Sequence, residues 1–283
     1  MIPPTSIDGT DITGATIDGT DVQEITVDGD VVFSAVPAGA FDITQFTFQT
    51  SINSQDSIPT GIAWNDDGTR LYETGADSSK IYQYTVSTPF DIASASFQTS
   101  INSQDSFPTG IRFNEIGSRL YEIGFNSSEI YQYTVSTPFD IASASFQTSI
   151  NSQDSSPEAL TWNDDGSRLY EVGNDSAGDI YQSTVSTPFD ITTASFQTSI
   201  SSQDNTPVGI VFNNDGSRLY EIGFGSDRIY QYNVSTPFDI ASASFQTSIN
   251  SQDSGPQGMA WNNDGSRLYE VGSSSDKIYQ STL

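Results

Sequence analysis

Along most of the chain apolar and polar residues alternate in short runs with a period of two, and no helical periodicity appears anywhere. The run from Ser96 to Asn102 sets Phe97, Thr99 and Ile101 on one side and Ser96, Gln98 and Ser100 on the other, the pattern of a half-buried strand. Three more strand-like runs follow, Gly110 to Asn114, Arg119 to Gly124 and Ile130 to Val135. Turn residues punctuate them: Asn-Asp-Gly-Ser sequences, as in Asn213 to Ser217, join the second and third runs as a hairpin, and Ser-Thr-Pro closes the fourth. The whole unit repeats. Its Phe-Asp-Ile start recurs at Phe41, Phe90, Phe139, Phe189 and Phe238, with spacings of 49, 49, 50 and 49 residues.

A fixed period in this range marks an array of supersecondary units, each unable to bury its apolar face without a neighbour. Four antiparallel strands in about 49 residues describe the blade of a β-propeller. The pattern Pro-x-Gly-Ile-x-Trp-Asn-x-Asp-Gly-Ser-Arg-Leu-Tyr-Glu resembles propeller repeats of the NHL and related types, and the resemblance covers residues 41–283. It implies architecture and hardly any activity. The predicted fold is therefore all-β, a five-bladed propeller of 49–50-residue repeats. The last copy ends on its fourth run, Ile278 to Leu283, while Phe46 to Ile52 is a spare outermost strand at the start. The N-terminal strand is expected to close the ring, tying residues 41–53 to residues 278–283.

Residues 1–40 are a separate region. Three ten-residue repeats carry Asp8-Gly9, Asp18-Gly19 and Asp28-Gly29 at one phase, a hairpin signal that predicts a small β-meander, and Val36 to Ala40 reads as a linker. With seven carboxylates, no basic residue and little surface to bury, such a module is expected to lean on a partner or to oligomerise. The stretch from Thr16 to Ala35, TIDGTDVQEITVDGDVVFSA, resembles a segment near an end of many structural proteins of tailed viruses, including viruses of halophilic archaea. That resemblance implies attachment to other virion proteins through residues 1–40.

Charge narrows the classes. The 36 acidic residues against 9 basic ones give a formal net charge of -27, which disfavours nucleic acid as a partner. Only two basic residues, Lys80 and Lys277, are lysines, a composition like that of proteins from extreme halophiles. In molar salt the Debye length is about 3 Å, so the self-repulsion of such a surface is screened. With neither cysteine nor histidine, thiol nucleophiles, disulfides, ordinary zinc sites and histidine bases are excluded, and no cofactor or metal is expected. No secretory signal is recognisable at the start, and no apolar run is long enough for membrane insertion.

The five copies differ mainly in two loops. The residues flanking the loop proline vary, from Ile58 and Thr60 to Gly255 and Gln257, as do those after the second strand, including Phe125-Asn126 and Phe224-Gly225. In a propeller these connections open on one face, and a repeated scaffold with one diversified face suits recognition. Mid-strand Ala63, Arg112, Thr161, Val211 and Ala260 also vary and are expected to line the channel. The candidate ligand-binding residues are Phe107, Arg112, Phe125, Asn126, Glu158, Phe224 and Gln257, with Phe107, Arg112, Phe125 and Asn126 expected to gather at one edge. Aromatics beside amide and charged groups suit carbohydrate.

Five-bladed propellers include glycosidases, which makes Glu73, Glu122, Glu171, Glu221 and Glu270 acid–base candidates. Yet each stands in one context, three residues after an arginine, so ion pairing with Arg70, Arg119, Arg168, Arg218 and Arg267 is expected instead. Asp56, Asp105, Asp154, Asp204 and Asp253 are expected to bridge loop amides. The inner-strand aromatics Trp64, Phe113, Trp162, Phe212 and Trp261 are expected to pack between blades. No enzyme is expected. The function read from the sequence is adhesion, by a virion surface or fibre protein of a halophilic tailed virus. It would form a homo-oligomer and present the propeller to a host-surface glycan or glycoprotein. A structural decoration protein of the virion is the alternative, and a glycan hydrolase a more distant one.

Overall fold

The computed structural model describes residues 37–175 and 178–283 in full, together with the backbone of six short strands between Ser6 and Ser34. Five four-stranded antiparallel sheets make up a five-bladed β-propeller. Blade 1 runs outward through Pro59–Trp64, Arg70–Gly75, Lys80–Val86 and Ala95–Asn102. Blades 2, 3 and 4 repeat the order from Pro108, Pro157 and Pro207. Blade 5 takes its inner three strands from Pro256–Trp261, Arg267–Gly272 and Lys277–Thr282, and its outer strand from Thr47–Asn53 at the other end of the repeat region. Ile278 lies opposite Ile52 in that ladder, so the ring closes as the sequence predicts.

Phe-Asp-Ile explains itself in the third-to-outer connection. The phenylalanine adopts positive φ, near 60°, in all five copies, a costly conformation for a bulky residue. Its ring offsets that cost by packing on a hairpin glycine, where a Cβ on Gly68 would come within 2.4 Å of Phe90. The aspartate caps a 3₁₀ turn, Asp91 accepting from the Ala93 amide at 3.1 Å, and the isoleucine is buried.

Adjacent blades are held by pins that repeat around the ring. Gln83 of blade 1 donates to Gln98 at 2.7 Å and accepts at 2.9 Å from the Ile141 amide of blade 2. The Tyr72 hydroxyl donates at 2.5 Å to the Phe139 carbonyl, and the Arg70 guanidinium reaches the neighbouring Pro138 carbonyl. Between these pins lie five apolar clusters, each shared by adjacent sheets and each including an inner-strand aromatic such as Trp162 or Phe212. Trp64, Phe113, Trp162, Phe212 and Trp261 thus pack as expected, each against a tyrosine of the preceding blade at 4.6–5.0 Å.

One expectation needs correction here. The strand glutamates do not pair with the arginines three residues before them. Those arginines donate to main-chain carbonyls of the next blade, as Arg168 does to Phe238 at 2.6 Å, while the glutamates accept from serine hydroxyls and loop amides. In the N-terminal region, where a small β-meander is expected, the described strands pair as antiparallel hairpins, Ser6–Ile7 with Thr10–Asp11, Thr16–Ile17 with Thr20–Asp21, and Glu24–Val27 with Asp30–Ser34. The Asp-Gly pairs at 8–9, 18–19 and 28–29 lie outside the described residues.

Candidate functional site

Strand direction sorts the loops onto two faces. The outer-to-inner and second-to-third connections share the upper face, where the Ala76 amide donates to the Ile58 carbonyl at 2.9 Å. The inner hairpins and 3₁₀ turns share the lower face. All the variable loops therefore open upward, over a common support. In blade 1, Asp56 accepts from the amides of Ile58 at 2.9 Å, Asp77 at 3.1 Å and Ser78 at 3.2 Å, and from the Tyr82 hydroxyl at 3.1 Å. Asp105, Asp154, Asp204 and Asp253 likewise take the amide two residues on. These aspartates bridge the loops as expected.

Beneath them lie the strand glutamates, each buried. Glu73 accepts from Ser54 and Tyr84, and Glu270 from Ser251 at 2.5 Å and the Gln252 amide at 3.0 Å. Burial pushes Glu73 up to about 6 and Glu270 to about 7. Blades 3 and 5 have Ser183 and Ser281 where the others have the tyrosine, so Glu171 and Glu270 lack that donor. Five like carboxylates, each sealed under its own loop, do not converge on a shared substrate position.

On this support the upper face differs from blade to blade. Blade 2 brings Phe107 and Phe125 together, ring centroids 5.7 Å apart and both half-buried. Asn126 stands exposed beside them, its side chain donating to Ser106 at 2.9 Å. Phe224 projects from blade 4, 43% exposed. Gln257 of blade 5 lines the upper channel and donates to Ser273 at 3.0 Å. Glu158 of blade 3 is buried, accepting from Asn174 at 2.7 Å. Burial, aided by the charge of Asp154, pushes its carboxyl up to about 8, so it is largely protonated at neutral pH.

Arg112 does not join Phe107 and Phe125, which corrects the expected gathering. Its guanidinium lies across the axis and donates to four inner-strand carbonyls: Ile62 at 2.7 Å, Ile111 at 3.0 Å, and Ile210 and Met259 at 3.4 Å. Four blades thus share one cation, and burial lowers its pKa to about 10. Above it the channel narrows to a void of about 10 Å³. The waist is set by inner-strand glycines, since a Cβ on Gly258 would lie 2.6 Å from the Thr60 carbonyl. Arg112 and this waist shut the channel.

The lower mouth was not singled out from the sequence. A basin of about 170 Å³ opens there, lined by Trp64, Asp66, Arg112, Asn214, Trp261 and Asn263 among others. Asn214 donates to the Asn263 carbonyl, and Asn263 to that of Asp66. Burial first, then the nearby Glu115, pushes Asp66 and Asp164 up to about 6. The signal was present in the repeats, because the residue after the conserved asparagine runs Asp66, Glu115, Asp164, Asn214, Asn263. Among the described residues no group of three acids is placed to hold a metal ion.

No protein-family model matches the chain, and no curated protein does. Similar solved structures share the propeller at low identity. A Bacteroides fragilis protein, provisionally assigned as a 6-phosphogluconolactonase, is 12% identical, with a TM-score of 0.50 over 76% of this chain and 64% of its own. A Bacteroides uniformis protein with the same provisional assignment is 15% identical, with a TM-score of 0.48 over 72% of this chain and 60% of its own. A functionally unknown protein from Desulfotomaculum acetoxidans is 11% identical, with a TM-score of 0.48 over 76% and 62%. The chain thus spans less than two thirds of the length of each. These likenesses speak to the fold alone.

Proposed function

We propose that the protein is an adhesion propeller, whose upper face recognises a host-surface glycan or glycoprotein. The observation that supports this is the split between support and surface. The aspartate, glutamate and glutamine pins recur in every blade, while the residues they hold up change from Phe107 and Phe125 to Glu158, Phe224 and Gln257. The half-exposed Phe107–Phe125 pair, flanked by the Asn126 amide, offers an apolar platform with hydrogen-bonding groups at its edge, which suits a sugar ring.

The wider setting rests on the sequence. The resemblance of the segment from Thr16 to Ala35 to tailed-virus structural proteins, together with the acidic, lysine-poor composition, supports a setting on the virion surface of a halophilic tailed virus, with attachment to other virion proteins through residues 1–40 and function as a homo-oligomer. The chain enters the disc on its lower face, where the Phe41 amide donates to the Gly265 carbonyl at 2.9 Å. Attachment below and recognition above would leave the variable loops free, and many copies on a particle would turn weak single contacts into avidity. Against a glycosidase reading, the strand glutamates Glu73, Glu122, Glu171, Glu221 and Glu270 are each buried under their own loop.

The test is binding of the intact protein to halophile cells and to a glycan panel in about 3 M salt. Saturable binding weakened by Phe107→Ala with Phe125→Ala supports adhesion. Failure of the intact protein to bind any host or glycan removes it and favours a virion decoration protein.

A further inference from the structure

The lower face carries one residue that breaks a rule kept by the rest of the ring. In four blades the inner hairpin is capped by an aspartate: Asp67 accepts from the Thr69 amide at 2.9 Å, Asp165 from Ser167 at 2.8 Å, Asp215 from Ser217 and Asp264 from Ser266, each at 2.9 Å. Three of these aspartates also accept from the hairpin asparagine, as Asp264 does from Asn262 at 2.7 Å. Blade 2 has Ile116 at this position. The Ser118 amide loses that acceptor, and the isoleucine stands 68% exposed, above every other exposed large apolar side chain of the described residues. Blade 2 thus gives up the hairpin cap and presents an isoleucine to water at a position where the other four blades keep an aspartate.

The chain joins the disc at this same face. Residues 37–41 are fixed beneath blade 5, by the Phe41 bond to Gly265 and by Gly39, whose Cβ position lies 3.5 Å from Leu283. The 36 residues before them put Ile7, Ile17, Ile25, Val27 and Val31 to Phe33 on strand positions of three small hairpins, too little mass to bury these side chains among themselves. A module tethered to this face meets any site on it at an effective concentration on the order of millimolar. We propose that the N-terminal hairpin module of this same chain docks on the lower face of blade 2, with Ile116 as its apolar contact. The propeller then holds its attachment module in a fixed orientation, opposite the variable loops.

Hydrogen exchange on the intact protein, comparing wild type with Ile116→Asp, tests this. The substitution restores the cap used by the other four blades, so blade 2 is expected to fold at least as stably, which its melting temperature checks. If the module docks, amides of Glu24–Val27 and Asp30–Ser34 exchange about ten-fold faster in the variant, while those of the blades are unchanged. Phe224→Asp, on the upper face, leaves them as in wild type. Equal exchange of the hairpin amides in wild type and Ile116→Asp overturns the proposal. So does a loss of self-association on Ile116→Asp measured by light scattering, which would make Ile116 a contact between copies.

Discussion

Arg112 and Glu158 show how single residues in a repeated scaffold acquire distinct roles. Arg112 replaces the small residue that other blades put at the axis, and its fork satisfies carbonyls from three of them and one of its own blade. Truncation to alanine should cost about 2–3 kcal/mol, since charge-assisted hydrogen bonds are lost and buried carbonyls left unpaired. Thermal melts of Arg112→Ala should show that loss, and added millimolar methylguanidinium should recover part of it. Glu158 acts through its titration. Its pKa is raised from an ordinary 4.5 to about 8, so the folded state holds the proton longer than the unfolded one. Stability is therefore lost as pH rises from 4.5 to 8, and stays lost above that. Glu158→Gln should match wild type at pH 4 and exceed it by roughly 2–5 kcal/mol at pH 9, as read from denaturant melts. A variant that is no more stable at pH 9 would contradict the cost of charging this buried carboxyl. The sequence marks both positions as unlike their counterparts in other blades. It does not reveal that Arg112 turns inward, because that depends on carbonyls of three other blades brought together only by ring closure.

At the level of elements, the pins carry the stability and the outer strands carry the risk. Gln132 donates to Gln147 at 2.9 Å and accepts from the Ile191 amide of the next blade at 3.1 Å. Gln132→Leu keeps the volume but orphans a buried amide, and should cost about 1–3 kcal/mol in thermal or denaturant melts, far more than Gln→Leu at an exposed position. Each outer strand is an open sheet edge. Gln98 is an extra residue there, squeezed between the Thr99–Gln83 and Phe97–Tyr84 pairs, and the same bulge recurs around the ring. Such bulges twist an edge away from pairing with another chain. The strands themselves were legible from their alternation and turn residues, within one or two residues at each end. The partner of each strand glutamate was not. Sequence spacing put an arginine three residues away, but in a strand residues i and i+3 point to opposite faces, which leaves the serine of the overlying loop as the real neighbour.

At the level of the whole molecule, a net charge of -27 is spread over a disc closed by hydrogen-bonded strands and apolar wedges. Among the described residues no ion pair holds the blades together, so salt has repulsion to screen and little attraction to weaken. Melting temperature should rise steadily from about 0.1 to 3 M potassium chloride, and a fall would contradict this balance. Blade number and the strand that closes the ring were readable because the period, the strand count per period and the spare first strand all agreed. What binds the disc was not readable, since a loop that recognises a ligand and a loop that drifts look alike in one sequence. The most direct test exchanges one blade's surface for another's. Phe107→Gly, Phe125→Ser and Asn126→Ser give blade 2 the loop residues of blade 5 on an unchanged support, and binding to halophile cells in about 3 M salt is then measured against wild type. Recognition by the upper face is expected to weaken by about ten-fold or more with the melting temperature little changed. Undiminished binding by the folded variant would contradict recognition through blade 2.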